Sequence, residues 1–149
     1  MNVGWLDPKH EFRTGQPSEE LLAILWNYCK VCVAEARGIH HCEFCPGRYI
    51  YYADRDGEFL SLGASEIRVF GRDSAIYAAP SLIYHYVSHH HYEPPAEFVE
   101  ALLEGPAAPD QAYFERLKEL HLQWRWLEVT PAKPVLYRYG PTGNVPIDD

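Results

Sequence analysis

The sequence has no apolar run that approaches the roughly 18 residues required to cross a membrane. It also has no internal repeat, no low-complexity tract and no cluster of basic residues. Its 13 Lys and Arg are scattered and are outnumbered by 21 Asp and Glu, which gives a formal net charge of −8. A field of this sign repels polyphosphate, so we expect neither nucleic acid nor a membrane as a partner.

The N-terminus has no basic stretch followed by an apolar core, so it shows no secretory signal. We therefore expect a cytoplasmic protein, in which the four cysteines are thiols or metal ligands rather than disulfides. A chain of 149 residues is long enough to form one domain that folds without disulfide bonds. Residues 1–129 are predicted to form a single α+β domain with an N-terminal extended arm, and residues 130–149 an irregular C-terminal tail.

Four segments carry helical signals. Apolar residues at spacings of three and four predict a long first helix over residues 18–37, with Ser18 as its N-cap. A second helix is predicted from Pro80 or Ser81 to about residue 91, and a short third over residues 96–104. Asp110 is expected to cap a last helix that runs to about residue 127.

Strand signals fill the region between the first two helices. β-branched and aromatic residues predict strands over residues 49–53, 58–62, 66–70 and 75–78, with Asp56-Gly57 as a hairpin turn. In the tail, residues 135–139 are expected to lie on a sheet edge. The predicted fold class is therefore α+β: an antiparallel β meander with a long N-terminal helix, C-terminal helices and a zinc knuckle plus helix, of treble-clef or Cys2His2-like type.

Two pairs of residues have the spacing of metal ligands. Cys42 and Cys45 form a C-x-x-C in a turn-rich segment, which is the knuckle geometry of structural zinc sites. His85 and His89 are separated by four positions on a predicted helix, so both imidazoles can reach one ion from the same helix face. The sequence therefore predicts tetrahedral zinc bound by Cys42, Cys45, His85 and His89.

Other ligand sets remain open. His40 and His41 immediately precede the knuckle, and His90 lies five residues from His85, so each is an alternate for one of the helical histidines. Cys29 and Cys32 form a second C-x-x-C. Because both lie on the apolar stripe of the predicted first helix, we expect them to be buried thiols rather than ligands or redox groups.

The known catalytic signatures are absent. Tyr86 occupies the Glu position of a metalloprotease H-E-x-x-H motif, and neither a deaminase pattern nor a Gly-rich phosphate loop is present. Two thiolates and two imidazoles fill all four positions around zinc, so we expect a zinc-stabilised, non-enzymatic domain with a possible protein partner. The alternative is a metal-dependent hydrolase or nuclease, in which His40 or His41 completes an open zinc site.

Two segments carry a resemblance: Arg37-Gly38-Ile39-His40-His41-Cys42-Glu43-Phe44-Cys45, and His85-Tyr86-Val87 with His89. Together with Trp5-Leu6-Asp7-Pro8, they resemble a group of small bacterial proteins of unknown function that carry R-G-x-H-x-C-x-x-C and H-Y-V-x-x-H pieces. The resemblance extends from residue 5 to about residue 102. It implies no activity, but it favours His40 as a site residue alongside the four predicted ligands.

Overall fold

In the computed structural model, which describes residues 1–35, 38–45, 51–131, 137–140 and 143–146, the chain is an α+β protein with antiparallel sheets, as predicted. The helices within those ranges are α1 (Glu19–Cys29), α2 (Ile83–His89), α3 (Ala96–Glu104) and α4 (Gln111–Glu119). The strands are β1 (Val31–Val33), β2 (Tyr51–Arg55), β3 (Glu58–Leu62), β4 (Glu66–Phe70), β5 (Ile76–Pro80), β6 (Trp124–Trp126), β7 (Val129–Thr130), β8 (Tyr137–Gly140) and β9 (Gly143–Pro146).

The first helix is shorter than the sequence predicts. Ser18 caps it as expected, because its hydroxyl oxygen accepts a hydrogen bond from the Leu21 amide at 3.1 Å. The helix ends at Cys29, however, and the prediction that it continues to residue 37 was wrong. Val31–Val33 is instead a fully buried strand between β4 and β6, so pairing with distant segments overrides the local helical pattern.

The predicted single meander is also wrong, although its strands exist. Asp56-Gly57 joins β2 to β3 with positive φ at both residues, as a tight hairpin turn requires. The next strand, β4, does not pair with β3; the two lie in different sheets, of order β2-β3-β7 and β5-β4-β1-β6. The first two residues of the predicted segment 49–53 lie outside the described residues.

The last helix ends earlier than predicted. Helix α4 stops at Glu119 and the backbone turns at His121, which has a positive φ of 54°. Residues 124–126 then form β6, which pairs antiparallel with β1, so the predicted helical run to residue 127 was wrong. Pairing along the buried β1 compensates for the loss of helical hydrogen bonds in this segment.

The C-terminal segment contains more regular structure than the predicted irregular tail. Strand β7 pairs with β3, and β8 pairs with β9 as a separate two-stranded sheet. Residues 135 and 136 of the predicted edge segment lie outside the described residues, whereas 137–139 belong to β8. The boundary between a domain over 1–129 and a tail stays a prediction.

The N-terminal arm is attached to the body by main-chain hydrogen bonds. The Val3 amide donates to the Ala78 carbonyl oxygen at 2.9 Å, and the Ala78 amide donates to that of Met1 at 2.8 Å. Further along the arm, the ring of Phe12 makes edge-to-face contacts with the rings of Tyr92 and Phe44. The arm therefore forms one wall of the region around the cysteine loop.

The core lies where α1, α3 and α4 cover the four-stranded sheet. Its largest fully buried side chains, those of Tyr28, Phe98, Tyr113 and Phe70, come from all three helices and from β4. Both cysteines of the second C-x-x-C belong to this core, since Cys29 is 0% and Cys32 2% exposed. None of the four cysteines, all of which lie among the described residues, forms a disulfide.

We expect Cys29 and Cys32 to react slowly with thiol reagents in the folded protein. Burial blocks access to both thiols, and it raises the pKa of Cys29 to about 12, so very little reactive thiolate forms at neutral pH. Mass spectrometry after timed maleimide labelling, with and without urea, measures this. Modification of both residues as fast in the folded as in the unfolded chain would contradict their assignment to the core.

Candidate metal centre

The cysteine loop is fixed by a turn and by a hydrogen bond to the neighbouring sheet. The Cys45 amide donates to the Cys42 carbonyl oxygen at 3.4 Å, which closes the C-x-x-C turn. The His40 amide donates to the Gly63 carbonyl oxygen at 2.8 Å, which joins the loop to the connection between β3 and β4. As a result, the Cys42 side chain is buried and that of Cys45 is partly exposed.

The histidines come from α2 and from the residue that follows it. His85 lies in the first turn of α2 and is only 1% exposed. His90 is the C-cap: its backbone has left the helical conformation, while its amide still donates to the Tyr86 carbonyl oxygen at 3.1 Å. This change in backbone direction turns the imidazole of His90 towards the cysteine loop.

Four ligand atoms converge at one point. The sulfurs of Cys42 and Cys45 and one ring nitrogen each of His85 and His90 all lie within 4.8 Å of one another. His90 Nε2 is 3.2 Å from Cys42 Sγ, 3.4 Å from Cys45 Sγ and 3.2 Å from His85 Nε2. His85 Nε2 is 3.4 Å from Cys45 Sγ.

These distances are close to the edges of a tetrahedron around zinc. Zn–N and Zn–S bonds of about 2.05 and 2.3 Å place two nitrogens about 3.3 Å apart and a nitrogen and a sulfur about 3.6 Å apart. The observed nitrogen–nitrogen separation is 3.2 Å, and three of the nitrogen–sulfur separations are 3.2–3.4 Å. The four side chains are therefore arranged to bind one metal ion.

His89, one of the four predicted ligands, does not belong to this group. Its ring stacks on that of His85 with a centroid distance of 5.1 Å, and its side chain is exposed. Two imidazoles one helical turn apart lie side by side here, rather than converging on one point. The structure thus replaces His89 with the alternate His90, the final histidine of the H-Y-V-x-x-H spacing.

The remaining alternates lie beside the cluster. His40 and His41 line an open cleft next to Cys42 and Cys45, but the structure does not group them with the four converging ligand atoms. Cys29 and Cys32 are likewise outside that group. The structure thus brings Cys42, Cys45 and His85 together with His90 rather than with His89, and metal binding by these residues stays a prediction.

Burial sets the protonation states of the cluster. Burial lowers the pKa of His85 to about 3, with further lowering by His90 and His89, and burial also lowers the pKa of His90. Both imidazoles are therefore neutral at physiological pH, which is the form that binds metal. Burial and the adjacent Cys42 raise the pKa of Cys45, so a metal ion must displace the Cys45 thiol proton when it binds.

Aromatic side chains support the ligands from outside the cluster. The ring of Phe44, between the two cysteines, lies 5.4 Å from that of His90 and 6.3 Å from that of Tyr86. Phe12 of the N-terminal arm packs on the same ring at 5.5 Å. This packing joins the cysteine loop to the C-terminal end of α2.

Gly63→Ala should destabilise the protein and weaken metal binding. Gly63 has a φ of +104°, and an added Cβ would overlap the carbonyl oxygen of His40 in the cysteine loop. We expect a loss of at least about 2 kcal/mol, from backbone strain and overpacking together. Thermal melts and zinc titrations measure both effects.

Gly57→Ala is the matched control for this substitution. Gly57 also has a positive φ, of +80°, but no atom lies within 4 Å of an added Cβ, and the residue belongs to the β2–β3 turn. The Gly57→Ala variant should lose stability through backbone strain alone, and it should bind zinc with the same affinity as the parent protein. Equal zinc affinities for the two variants would contradict the role of the Gly63–His40 contact in placing the cysteines.

The architecture and the cluster define an α+β domain with a Cys2His2-type candidate metal centre. The chain belongs to the DUF7919 family, a domain of unknown function, which matches residues 1–103. All four converging residues lie in the matched region, whereas α4 and β6 lie beyond it. Neither a curated protein nor a solved structure shows a significant match to the chain.

The match confirms that the chain belongs to an uncharacterised family, whereas the resemblance to bacterial proteins with the two sequence pieces stays a prediction. Among the described residues, no helix has both the length and the apolar character that a membrane span requires.

Proposed function

We propose that Cys42, Cys45, His85 and His90 bind one zinc ion, and that this ion stabilises a non-enzymatic domain whose role is to bind a protein partner. The observation that carries the metal assignment is the convergence of four ligand atoms within 4.8 Å of one another, with four of their separations at 3.2–3.4 Å. Two thiolates and two imidazoles form a ligand set typical of structural zinc, whereas carboxylates and carbonyls suit Mg²⁺ and Ca²⁺.

The position of the cluster in the chain supports a structural role. The ion would join two segments that are separated by β2 to β5, namely the cysteine loop and the end of α2. Four protein ligands leave no coordination position for water, and two thiolates reduce the Lewis acidity of the ion. Zinc in such a site contributes its binding free energy to folding rather than to a reaction.

The charge of the chain supports a protein partner. A net charge of −8 suits a basic protein surface and opposes nucleic acid. The proposal includes a cytoplasmic location, because the thiolates that bind the ion must stay reduced.

A hydrolase or nuclease with an open zinc site is the second candidate. The observation that favours it is the cleft of about 720 Å³ beside Cys42 and Cys45, which is also lined by His40 and His41. In that candidate, His40 or His41 would serve as a ligand and one coordination position would be left to water. Coordination number and ligand type separate the two candidates.

Metal analysis combined with X-ray absorption tests the proposal. Protein purified without chelators should contain about one zinc per chain, with two sulfurs at about 2.3 Å and two nitrogens at about 2.0–2.1 Å. A zinc coordination shell in which an oxygen replaces one of the nitrogens would favour the second candidate function, a hydrolase or nuclease. Protein that takes up no zinc when supplied with one equivalent would contradict metal binding itself.

A further inference from the structure

An open cleft of about 720 Å³ lies between the N-terminal arm and the cysteine loop. Its lining includes Trp5 and Asp7 from the arm, His40 and Glu43 from the loop, and the metal-ligand candidate Cys45. We propose that this cleft binds a Lys or Arg side chain of the partner protein. The inference rests on the proposed protein-binding function and specifies the chemistry of the partner.

The lining of the cleft has carboxylates but no ammonium or guanidinium group among its described residues. Asp7 and Glu43 are its acidic lining residues, and no Lys or Arg is among the described residues that line it. A hydrogen bond from His10 lowers the pKa of Asp7, so this carboxylate is ionised at neutral pH. Zinc with two thiolates and two neutral imidazoles is formally neutral, so the metal centre would not repel a cation.

The arm also presents an aromatic surface to this cleft. Trp5 is 45% exposed, which is unusual for so large an apolar side chain, and its ring meets that of His40 nearly at right angles. Indole is the best aromatic partner for a Lys or Arg cation. The combination of one exposed indole with two carboxylates therefore selects a cationic side chain over an apolar or an acidic one.

Both walls of the cleft are held in place before a ligand arrives. The Val3 amide binds the Ala78 carbonyl oxygen, and the chain then turns at Gly4, whose added Cβ would lie 3.0 Å from Ile83. On the other side, the His40 amide binds the Gly63 carbonyl oxygen. Binding to a preformed cleft loses little conformational entropy, so even a single inserted side chain can contribute measurably to affinity.

Peptide titration of the full, zinc-loaded chain tests the inference. The probes are a Gly-Arg-Gly-Arg-Gly amide and the same peptide with glutamate in place of arginine, each titrated by calorimetry at low and at physiological salt. We expect the arginine peptide to bind, more weakly as salt increases, and the glutamate peptide not to bind. Absence of binding by the arginine peptide at low salt would overturn the inference.

Substitutions distinguish the cleft from general attraction to an acidic protein. Trp5→Ala and Asp7→Asn should each weaken binding about fivefold, the scale of one cation–π contact or one exposed ion pair. Trp126→Ala removes another exposed indole and Asp73→Asn another acidic group; both lie outside the cleft, so both should bind as the parent does. Equal affinities for all four variants would overturn the inference.

Zinc analysis of the same samples separates this inference from the proposed metal site. Trp5 and Asp7 are not among the converging ligands, so their variants should retain zinc. A chain that takes up no zinc when supplied with one equivalent, but still binds the peptide with the same dependence on Trp5 and Asp7, would refute the metal site and support the cleft. A zinc-loaded chain that binds no peptide would refute the cleft alone.

Discussion

Cys42→Ser should release the metal ion and lower the melting temperature. Cys42 is buried and its sulfur lies 3.2 Å from His90 Nε2, so a hydroxyl at this position removes a thiolate from the centre of the cluster. Free zinc at 100 to 1,000 times its dissociation constant stabilises a protein by about 2.7–4.1 kcal/mol. At about 2–4 °C per kcal/mol, this corresponds to a decrease of about 5–16 °C.

A chelator shows whether that decrease comes from the metal. EDTA should lower the melting temperature of the parent protein to nearly that of Cys42→Ser and should leave the variant unchanged. Cys32→Ala is the matched control, because Cys32 is buried in β1 outside the cluster. This control should keep its zinc and its sensitivity to EDTA. A Cys42→Ser protein with full zinc content would contradict the assigned centre.

His90→Ala should lose zinc, whereas His89→Ala and His91→Ala should keep it. His90 Nε2 lies within 3.4 Å of both sulfurs, while His89 stacks on His85 and His91 is exposed. Removal of one of four ligands should weaken zinc binding at least about 100-fold, more than loss of an outer-shell partner does. Competition with a fluorescent zinc chelator measures the three affinities under identical conditions.

His90→Cys distinguishes loss of a ligand from loss of packing. A thiolate can replace an imidazole at a tetrahedral zinc ion, so this variant should recover much of the affinity that His90→Ala loses. His90 also packs against Phe44, and a packing role alone would leave both variants equally impaired. If the His89→Ala variant loses zinc and the His90→Ala variant keeps it, the fourth ligand is His89, as the sequence predicts, and not His90.

Local signals predicted those parts of the fold that depend on neighbouring residues. The third helix begins at Ala96 and ends at Glu104 as predicted, because Pro94-Pro95 and Gly105 limit it on both sides. Asp56-Gly57 likewise predicted its hairpin, because a tight two-residue turn needs positive φ at both positions. In each case, the determining residues lie within a few positions of the element.

Segments that pair over long distances were not predictable in this way. Strand β1 pairs Val31 with Trp126, although the apolar spacing of both segments predicts helices. Short apolar runs fit a buried strand and a helix equally well, and the partner that decides between them lies more than ninety residues away. The division of the predicted meander into two sheets follows from the same pairing, since β1 lies beside β4.

The sequence by itself determined the chemistry of the candidate centre: two thiols in a turn and imidazoles near the end of a helix, on a chain of net charge −8. Only the tertiary structure decided which histidine completes it, because the choice depends on where α2 ends. The helix stops at His89, and the non-helical backbone of His90 turns its imidazole towards Cys42 and Cys45. Residue spacing restricts which side chains can converge, but the direction of the backbone at a helix end determines which ones do.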